Sequence, residues 1–461
     1  MLTLMLPDSC RAERSWIVAV VLQDFLGLST TLHFDHEDSV RICAAGKTLT
    51  VADTFFRGAQ KHWLTPQSLP SGRLQQWMVS DSVLTPELVR CALPVLFGDA
   101  GFVVHASGDA TLQLDIFGSA FFMLSRYEEA VLGDRDVHDR FPASASLAQR
   151  EGFLDRPIVD EYVEILWAAL HRLWPHLTRK PRTARMRVSC DVDSPFDPAC
   201  TSLPRLGKRL LGQTWRDKSP VQAIHAITNY VKGRTGDVSR DPYWSALDWI
   251  MTVNEQASNQ VAFYVIAWQT DVERDSGGGL HDPRMQRLLH TMHARGHEIG
   301  IHPGYYTHQH PVAFARSVER LREVMDEQDI RQEVIGGRQH YLRWNAMATP
   351  QLWEAHGLHY DATLTYAERP GFRCGTSHAY RMYSLAERRP LRLLQQPLVV
   401  MEGSVVDDLY MGLGYGEAAL EVMQRYKKIC HQFGGDFTLL WHNSCLQDER
   451  ARHMYCEIIK W

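Results

Sequence analysis

Three short apolar runs, two near the middle of the chain and one near its C-terminus, end in acidic residues or in histidine. The runs and the residues that follow them are 186–190 before Asp191 and Asp193, 298–301 before His302, and 437–441 before His442. Each run has the length and composition of a buried strand. In α/β proteins, the polar groups that carry chemistry collect where parallel strands end. The pattern therefore predicts an α/β fold with a polar site at one edge of its sheet.

Asp191 and Asp193 are two residues apart, so both side chains lie on one face of a strand or of its exit. Two carboxylates that face inward are costly unless a cation or a proton lies between them. With His302 nearby, they predict a hydrolytic metal site. An oxygen of Asp193 and a nitrogen of His302 should then lie about 3–3.5 Å apart across the ion. The alternative is a helix cap and a turn aspartate, because Ser194-Pro195 follows.

The composition describes an ordinary globular protein. The chain has 461 residues, 45% of them hydrophobic and 22% charged, which is enough for two or three domains. A formal net charge of −5 argues against a nucleic-acid partner. Nine scattered cysteines without a Cys-x-x-Cys pair predict reduced thiols. The N-terminal residues do not form a secretory signal, so a cytoplasmic location is expected.

Residues 1–183 are predicted to form an N-terminal α/β domain, and residues 184–461 a second one, with a basic, proline-containing boundary at 178–183. The second part alternates strand and helix patterns. Its candidate strands are 186–190, 261–267, 298–301, 334–337, 359–364, 394–400 and 437–441, and its candidate helices are 244–256, 282–295, 312–328, 349–356 and 416–433. This alternation predicts an irregular (β/α)7-type barrel, with an open doubly wound sheet as the competing architecture.

Residues 201–240 interrupt this alternation as a basic insertion. They contain eight Lys or Arg and two Asp, a net charge of +6. Such a segment suits pyrophosphate or anionic lipid headgroups, and hence peripheral membrane contact. A solvated helical face or a loop explains it equally well.

Four segments resemble, in order, the motifs of the polysaccharide deacetylase family, also known from nodulation deacetylases. Residues 296–302, Gly-His-Glu-Ile-Gly-Ile-His, are similar to its second motif, and Ser-Cys-Asp-Val-Asp at 189–193 to its first. Arg-Gln-His-Tyr at 338–341 resembles the third motif, and Leu-Trp-His at 440–442 the last. The resemblance covers about residues 186–445. It implies a metal-dependent hydrolase built on a (β/α) barrel.

The resemblance also implies a role for each matching residue. Asp191 would be the base, and Arg338 would pair with it and keep it ionised. Asp193 and His302 would bind the metal. His442 would be the general acid for the leaving amine. Asp361 is the best match for the aspartate that tunes this histidine.

The chain departs from the family at the third metal ligand. The family places a second histidine four residues after the first, where this chain has Tyr306. His308 lies six residues after His302, and His340 replaces the proline of the third motif, so both are candidates. Two nitrogens and a carboxylate favour zinc or another late first-row divalent ion.

Aromatic and arginine side chains near the motifs are candidates for substrate binding. They are Tyr305, Tyr341, Trp344, Arg343 and Arg373. The alternative for the aromatics is loop and core packing, and for the arginines it is pairing with surface acids.

The implied activity is removal of an acyl group, most simply acetyl, from an amino sugar. A cytoplasmic enzyme would act on a precursor of a surface polysaccharide, such as lipopolysaccharide O-antigen or capsule, in lipid-linked or nucleotide-linked form. The alternatives are a catalytically impaired carbohydrate-binding barrel, which the missing histidine favours, and a deacylase for another group such as formyl.

The N-terminal part resembles the companion domain carried by a bacterial subgroup of the same family. Residues 93–98, 115–129 and 153–160 carry this likeness. Asp115, Arg126 and Glu128 lie among apolar residues and need partners if buried. A structural network is the preferred explanation, and the far wall of a substrate site is the alternative.

Overall fold

The computed structural model describes residues 1–200, 203–204, 206–207, 227–228, 230–231, 241–276 and 279–460. Most of the basic insertion predicted at 201–240 therefore lies outside the described residues. Within the described residues, none of the helices combines the length and the apolar character needed to cross a membrane.

The chain is a mixture of strands and helices. The strands are β1 Leu2–Pro7, β2 Thr30–Asp35, β3 Val40–Ala44, β4 Lys47–Val51, β5 Gln75–Met78, β6 Ala92–Val95, β7 Gly98–Val104, β8 Ala110–Leu114, β9 Arg185–Val192, β10 Val261–Val265, β11 Glu298–Ile301, β12 Gly336–Gly337, β13 Tyr360–Asp361, β14 Tyr380–Ser384, β15 Arg389–Gln395, β16 Val400–Met401 and β17 Asp436–Leu440. The α-helices are α1 Arg11–Val18, α2 Phe55–Ala59, α3 Ile116–Leu124, α4 Tyr127–Val131, α5 Leu147–Arg150, α6 Ile158–Leu173, α7 Pro242–Gln256, α8 Pro283–Ala294, α9 Pro311–Glu327, α10 Thr349–Ala355, α11 Glu402–Val406, α12 Glu417–Gln432 and α13 Glu449–Ile459. A π-helical stretch covers Ala19–Phe25, and short 3₁₀ turns cover Pro66–Ser68, Val79–Asp81, Ala143–Ala145, Pro198–Cys200, His340–Leu342 and Asn443–Cys445.

The chain divides into two compact units. The first comprises Met1–Arg185, Leu342–Val400 and Arg425–Thr438, and the second comprises Met186–Tyr341, Met401–Gln424 and Leu439–Trp461. The chain therefore passes between the units several times. One of the crossings falls beside the predicted boundary at residue 183, but the assignment of 1–183 and 184–461 as two domains stays a prediction.

The first unit contains a six-stranded sheet with strand order β2-β1-β3-β4-β8-β7. Strand β1 runs parallel to β2 and antiparallel to β3, and alternate side chains of β1, Leu2, Leu4 and Leu6, are buried. Every residue of α3 is also buried. Burial of such apolar side chains contributes about 1.5–3 kcal/mol each, so this sheet and helix form the core of the unit.

A buried ionic network follows α3. Arg126 adopts a left-handed conformation with φ 55° between the end of α3 and the start of α4. Its guanidinium donates to Glu129 at 2.9 Å and to Glu128 at 3.2 Å. Arg373 donates to both oxygens of Glu129, at 2.8 and 2.6 Å, and to the Thr365 carbonyl at 2.6 Å. The side chains of all four of these residues are nearly inaccessible, so the structural network expected for Arg126 and Glu128 is present.

The second unit holds four adjacent parallel strands in the order β12-β11-β10-β9. Phe263 of β10 lies opposite Cys190 of β9 and Ile299 of β11, and all three side chains are buried. Helices α7 and α8 each begin with proline after an aspartate N-cap, Asp241 or Asp282, as expected for helices that return the chain between parallel strands. The carboxyl ends of the four strands consequently lie along one edge.

The C-terminal strand β17 brings a further residue to this edge. The backbone N–H of Trp441 donates to the Ser189 carbonyl at 3.0 Å, and the Ser189 hydroxyl donates to the Leu439 carbonyl at 3.2 Å. His442 therefore follows directly beside the end of β9. The predicted α/β class with parallel strands is confirmed, whereas closure into a (β/α)7-type barrel stays a prediction.

Candidate metal and hydrolytic site

A carboxylate and two imidazoles converge at the edge formed by the strand ends. Asp193, His302 and His340 each offer a ligand atom, and these atoms all lie within 4.8 Å of one another. Oδ1 of Asp193 is 3.1 Å from Nε2 of His302 and 3.7 Å from Nε2 of His340. The Asp193–His302 distance lies in the range that the sequence predicts for two ligands of one ion.

The second ring nitrogen of each histidine is already engaged. Nδ1 of His302 lies 2.6 Å from the Arg338 carbonyl, and Nδ1 of His340 lies 2.8 Å from Oδ1 of Asp275. A carbonyl or carboxylate partner holds the proton on Nδ1 and leaves the Nε2 lone pair available. Both Nε2 atoms therefore face Asp193, and in the neutral imidazole each carries the lone pair.

The oxygen at the centre of this group fits a cation. Oδ1 of Asp193 is buried and has no hydrogen-bond partner of regular geometry within the described part of the chain. Acceptor atoms this close need a proton or a metal ion between them. In the metal-free protein, His340 carries this proton. Burial alone would lower the pKa of His340, but Asp193 and Asp275 raise it to about 9. One carboxylate oxygen and two imidazole nitrogens are a donor set suited to zinc.

Asp191 lies beside this group as an ion pair. Its Oδ1 accepts from Nη1 of Arg338 at 2.6 Å, and its Oδ2 lies 3.7 Å from Nε2 of His302. Arg338 also donates to the Ser189 hydroxyl at 3.0 Å, and its Cζ lies 5.0 Å from the centre of the Tyr264 ring. The guanidinium holds the carboxylate in place and leaves Oδ2 facing His302. Asp191 is thus available as a proton acceptor next to the candidate metal position.

His442 lies on the other side of Asp193 and pairs with Glu402. Nε2 of His442 is 3.7 Å from Oδ2 of Asp193, and its Nδ1 is 2.6 Å from Oε1 of Glu402. The same Glu402 oxygen accepts from the backbone N–H of His442 at 2.8 Å. Burial alone would lower the pKa of His442, but the charge and hydrogen bond of Glu402, with Asp193 and Asp191, raise it to about 10. His442 is therefore protonated at neutral pH and can donate a proton from Nε2.

The partner of His442 differs from the sequence prediction. The single N–H at Nδ1 donates to Glu402, so Glu402, and not Asp361, is the hydrogen-bond partner of this nitrogen. Oδ1 of Asp361 accepts from the backbone N–H of Thr363 at 2.9 Å and from the Thr363 hydroxyl. The prediction for Asp361 is corrected accordingly.

The structure also distinguishes the two candidates for the third ligand. His340 belongs to the converging group, and His308 does not, although both histidines are buried. His340 opens a turn in which Tyr341 has φ 59° and Leu342 has φ 58°, a conformation that residues other than glycine rarely adopt. Strained backbone next to a ligand atom is typical of functional sites.

The residues predicted to bind substrate fall into two groups. Tyr305 and Tyr341 belong to the second unit and pack edge to face at 5.1 Å, with Tyr341 only partly buried. Trp344 and Arg343 belong to the first unit and are buried, and Arg343 lies 3.5 Å from Asp139. The three nitrogens of the Arg373 guanidinium are engaged by Glu129 and Thr365 inside the ionic network. Substrate binding by Arg373 is therefore corrected to a structural role.

Sequence analysis missed two carboxylates of the site, Glu402 and Asp275. A usable signal existed for Glu402, because it follows the apolar residues 398–401 as the other site residues follow theirs. Asp275 gave no signal of this kind. It lies in the charged stretch Asp-Val-Glu-Arg-Asp at 271–275, which has the composition of a surface turn.

Comparisons with known proteins give distant likenesses. A family model described as a family of unknown function, DUF7033, matches residues 2–175. No curated protein sequence matches the chain. A candidate polysaccharide deacetylase from Mycobacterium smegmatis is similar at TM-score 0.38 and 16% identity, over 61% of this chain and 85% of that one.

Two further solved structures are similar at the same level. A candidate polysaccharide deacetylase from Pseudomonas aeruginosa PAO1 has TM-score 0.38 and 12% identity, over 68% of this chain and 90% of that one. The Puue allantoinase has TM-score 0.37 and 12% identity, over 60% of this chain and 83% of that one. Because these identities and TM-scores are low, the chemistry of the site has to be inferred from its own geometry.

Proposed function

We propose that the protein is a metal-dependent hydrolase that removes an N-acyl group, most simply acetyl, from an amino sugar. The observation that carries the proposal is the arrangement around Asp193. Two histidines face its Oδ1 through Nε2, Asp191 lies on one side paired with Arg338, and His442 lies on the other paired with Glu402. Ligands, base and acid are thus grouped around one position.

Asp193, His302 and His340 would hold a divalent ion, zinc being the best fit to their donor atoms. When bound, the ion would supply a Lewis acid for the acyl carbonyl and lower the pKa of a nearby water. The Nδ1 contacts of both histidines fix their orientation before any ion arrives. Three protein ligands are typical of catalytic rather than structural zinc sites.

Asp191 and His442 would divide the proton transfers. Asp191 takes a proton from the attacking water through Oδ2, because Arg338 pairs with Oδ1 and holds the carboxylate in place. His442 gives its Nε2 proton to the departing nitrogen as the C–N bond breaks, because Glu402 keeps the imidazole protonated. The water oxygen ends in the carboxylate product, and the amine leaves with the proton from His442.

The substrate class follows from the resemblance of the motifs and from the aromatic side chains beside the site. Tyr305 and Tyr341 provide flat apolar faces of the kind that pack against sugar rings. We propose a precursor of a bacterial surface polysaccharide, such as lipopolysaccharide O-antigen or capsule, in lipid-linked or nucleotide-linked form. A cytoplasmic location and membrane contact through residues 201–240 belong to the same proposal.

A second candidate function is a carbohydrate-binding protein without turnover. Tyr306 favours it, because this residue takes the place of the second histidine in the motif and its side chain is exposed. His340 weighs against it, because it supplies a third donor atom from another strand end.

The test combines metal content with amine release. Purified protein should contain or take up about one zinc, and should release a fluorescamine-reactive amine from N-acetylated hexosamines offered free, as oligosaccharides and as nucleotide conjugates. Asp191→Asn should keep the zinc and lose roughly 10²–10⁴-fold in rate. His302→Ala should lose both. Asp282→Asn is the matched control, because asparagine caps a helix as well as aspartate. Sugar binding without zinc or amine release would support the second candidate instead.

A further inference from the structure

Asp275 is a fully buried carboxylate that accepts hydrogen bonds from three parts of the chain. Its Oδ1 accepts from Nδ1 of His340 at 2.8 Å and from the backbone N–H of Tyr305 at 2.8 Å. Its Oδ2 accepts from the backbone N–H and hydroxyl of Thr270, at 2.6 and 2.8 Å, and from the backbone N–H of Asp271 at 2.9 Å. Every one of these five contacts needs an acceptor.

We propose that Asp275 is the positioning residue that makes His340 a metal ligand. The inference rests on the proposed function, in that it assumes a divalent ion at Asp193, His302 and His340. It adds a residue that belongs to none of the four motifs, and it explains how a histidine outside the usual pattern fills the third position.

The argument begins with the tautomer of His340. A neutral imidazole has one N–H, and the nitrogen without it is the one that can bind a metal. Asp275 accepts from Nδ1, so the lone pair remains on Nε2, which points at Asp193 from 3.7 Å. A carboxylate partner also raises the basicity of the ligand nitrogen. The Arg338 carbonyl accepts from Nδ1 of His302 and in the same way leaves the lone pair of that ring on Nε2.

Asp275 also fixes the segment that follows His302. Besides the N–H of Tyr305, it holds Thr270, whose hydroxyl accepts from the N–H of Tyr306 at 2.9 Å. A Cβ on Gly304 would lie 2.7 Å from Oδ2 of Asp275, so glycine is needed for this close approach. One carboxylate therefore positions a ligand and the tyrosine segment together.

Asparagine at position 275 cannot reproduce this arrangement. If its NH₂ took the place of Oδ2, the backbone N–H groups of both Thr270 and Asp271 would lose their acceptor. If it took the place of Oδ1, only the N–H of Tyr305 would lose its acceptor, because His340 can move its proton to Nε2 and accept from the amide. The second orientation leaves fewer N–H groups unpaired, and it removes the lone pair that would bind the metal.

The experiment measures zinc binding by the full-length protein with isothermal titration calorimetry. Asp275→Asn should bind zinc at least 10–100-fold more weakly than the wild type, the loss typical for partners of metal-bound histidines. Thr270→Val is the matched control, because it weakens the Oδ2 side of Asp275 and leaves the bond to His340 in place. It should bind zinc within about threefold of the wild type. Equal losses in both variants would mean a general loop effect and would overturn the inference.

A second readout does not depend on how the variant folds. Long-range ¹H–¹⁵N spectra of the zinc-loaded wild type should contain slowly exchanging Nδ1 protons from both His302 and His340. At saturating zinc, Asp275→Asn should lose the His340 signal and keep that of His302. Absence of the His340 Nδ1 proton in the wild type would overturn the inference even if the variant does not fold.

The two proposals fail in different ways. A wild-type protein that binds no zinc would remove the proposed function and this inference with it. A wild type that binds zinc, with Asp275→Asn binding it equally well, would leave the proposed function standing and overturn only the role of Asp275.

Discussion

Replacement of Glu402 by glutamine tests the proposed role of His442 as a proton donor, because glutamine has nearly the same shape as glutamate. Oε1 of Glu402 accepts both hydrogen bonds from His442, while Oε2 is buried and has no partner of regular geometry among the described residues. An amide oxygen can take the place of Oε1, and the amide nitrogen then occupies the position of Oε2. The variant keeps the geometry of His442 and removes the charge beside it.

The expected change in the pKa of His442 is large. The structure places it at about 10, with the charge and hydrogen bond of Glu402 as the main terms that raise it. Removing an opposite charge at this distance lowers a pKa by about 1–3 units, or roughly 1–4 kcal/mol of preference for the protonated form. Histidine is protonated below its pKa, so Glu402→Gln should lose the acid form at a lower pH, and the alkaline limb of activity should move toward acid.

The direct measurement is an NMR titration of the His442 ring in metal-free protein, assigned with a His442→Asn variant. Asp361→Asn is the informative control, because the sequence pointed to Asp361 as the partner of His442. That variant should leave the pKa of His442 unchanged. A shift in Asp361→Asn and none in Glu402→Gln would refute the assignment of Glu402.

Two further predictions concern the ligands and the strand that carries one of them. His340→Ala should weaken zinc binding by at least 10–100-fold in calorimetry, while His308→Ala should stay near wild type; the reverse result would make His308 the third ligand. Gly337→Ala should lower stability by roughly 1–3 kcal/mol or more in thermal unfolding, because its Cβ would lie 1.9 Å from the Ile301 carbonyl oxygen. Gly58→Ala, in a helix with open space around it, should be neutral or stabilising, and an equal loss in both variants would contradict this reasoning.

Local periodicity was sufficient to locate most strands and helices of the second half of the chain. The apolar run at 298–301 is β11, and the helix expected at 312–328 is α9 at Pro311–Glu327. The side chains of such elements are either buried at regular intervals or buried throughout, and the positions of apolar residues in the sequence indicate both patterns. The prediction of a single strand at 394–400 was wrong, because these residues are divided between the end of β15 and the start of β16.

The antiparallel hairpin of β14 and β15 could not be inferred from alternation of strands and helices. Its two strands, Tyr380–Ser384 and Arg389–Gln395, pair with a register shift between Arg381 and Tyr383. A hairpin of this kind depends on pairing partners and turn geometry rather than on crossover helices. It was therefore absent from the expected order of elements.

Motif spacing was sufficient for the residues at strand ends, but not for the residues that hold them. Asp191 lies near the end of β9, while Asp193, His302 and Arg338 directly follow their strands, and the structure brings the four together. Asp275 follows no strand directly. It reaches His340 through a tertiary contact across 65 residues, and no local pattern encodes such a contact.

The short segment from β12 to His340 performs three tasks, which explains its unusual backbone. Gly337 allows β12 to approach Ile301 so closely that the Arg338 carbonyl reaches Nδ1 of His302. The Arg338 side chain turns back to pair with Asp191, and two residues later His340 supplies its own Nε2. Since the orientation of His302, the ion pair of Asp191 and the position of His340 all depend on this segment, a change in its path alters all three together. The left-handed conformation of Tyr341 immediately after it is the strain expected where so many contacts fix the backbone.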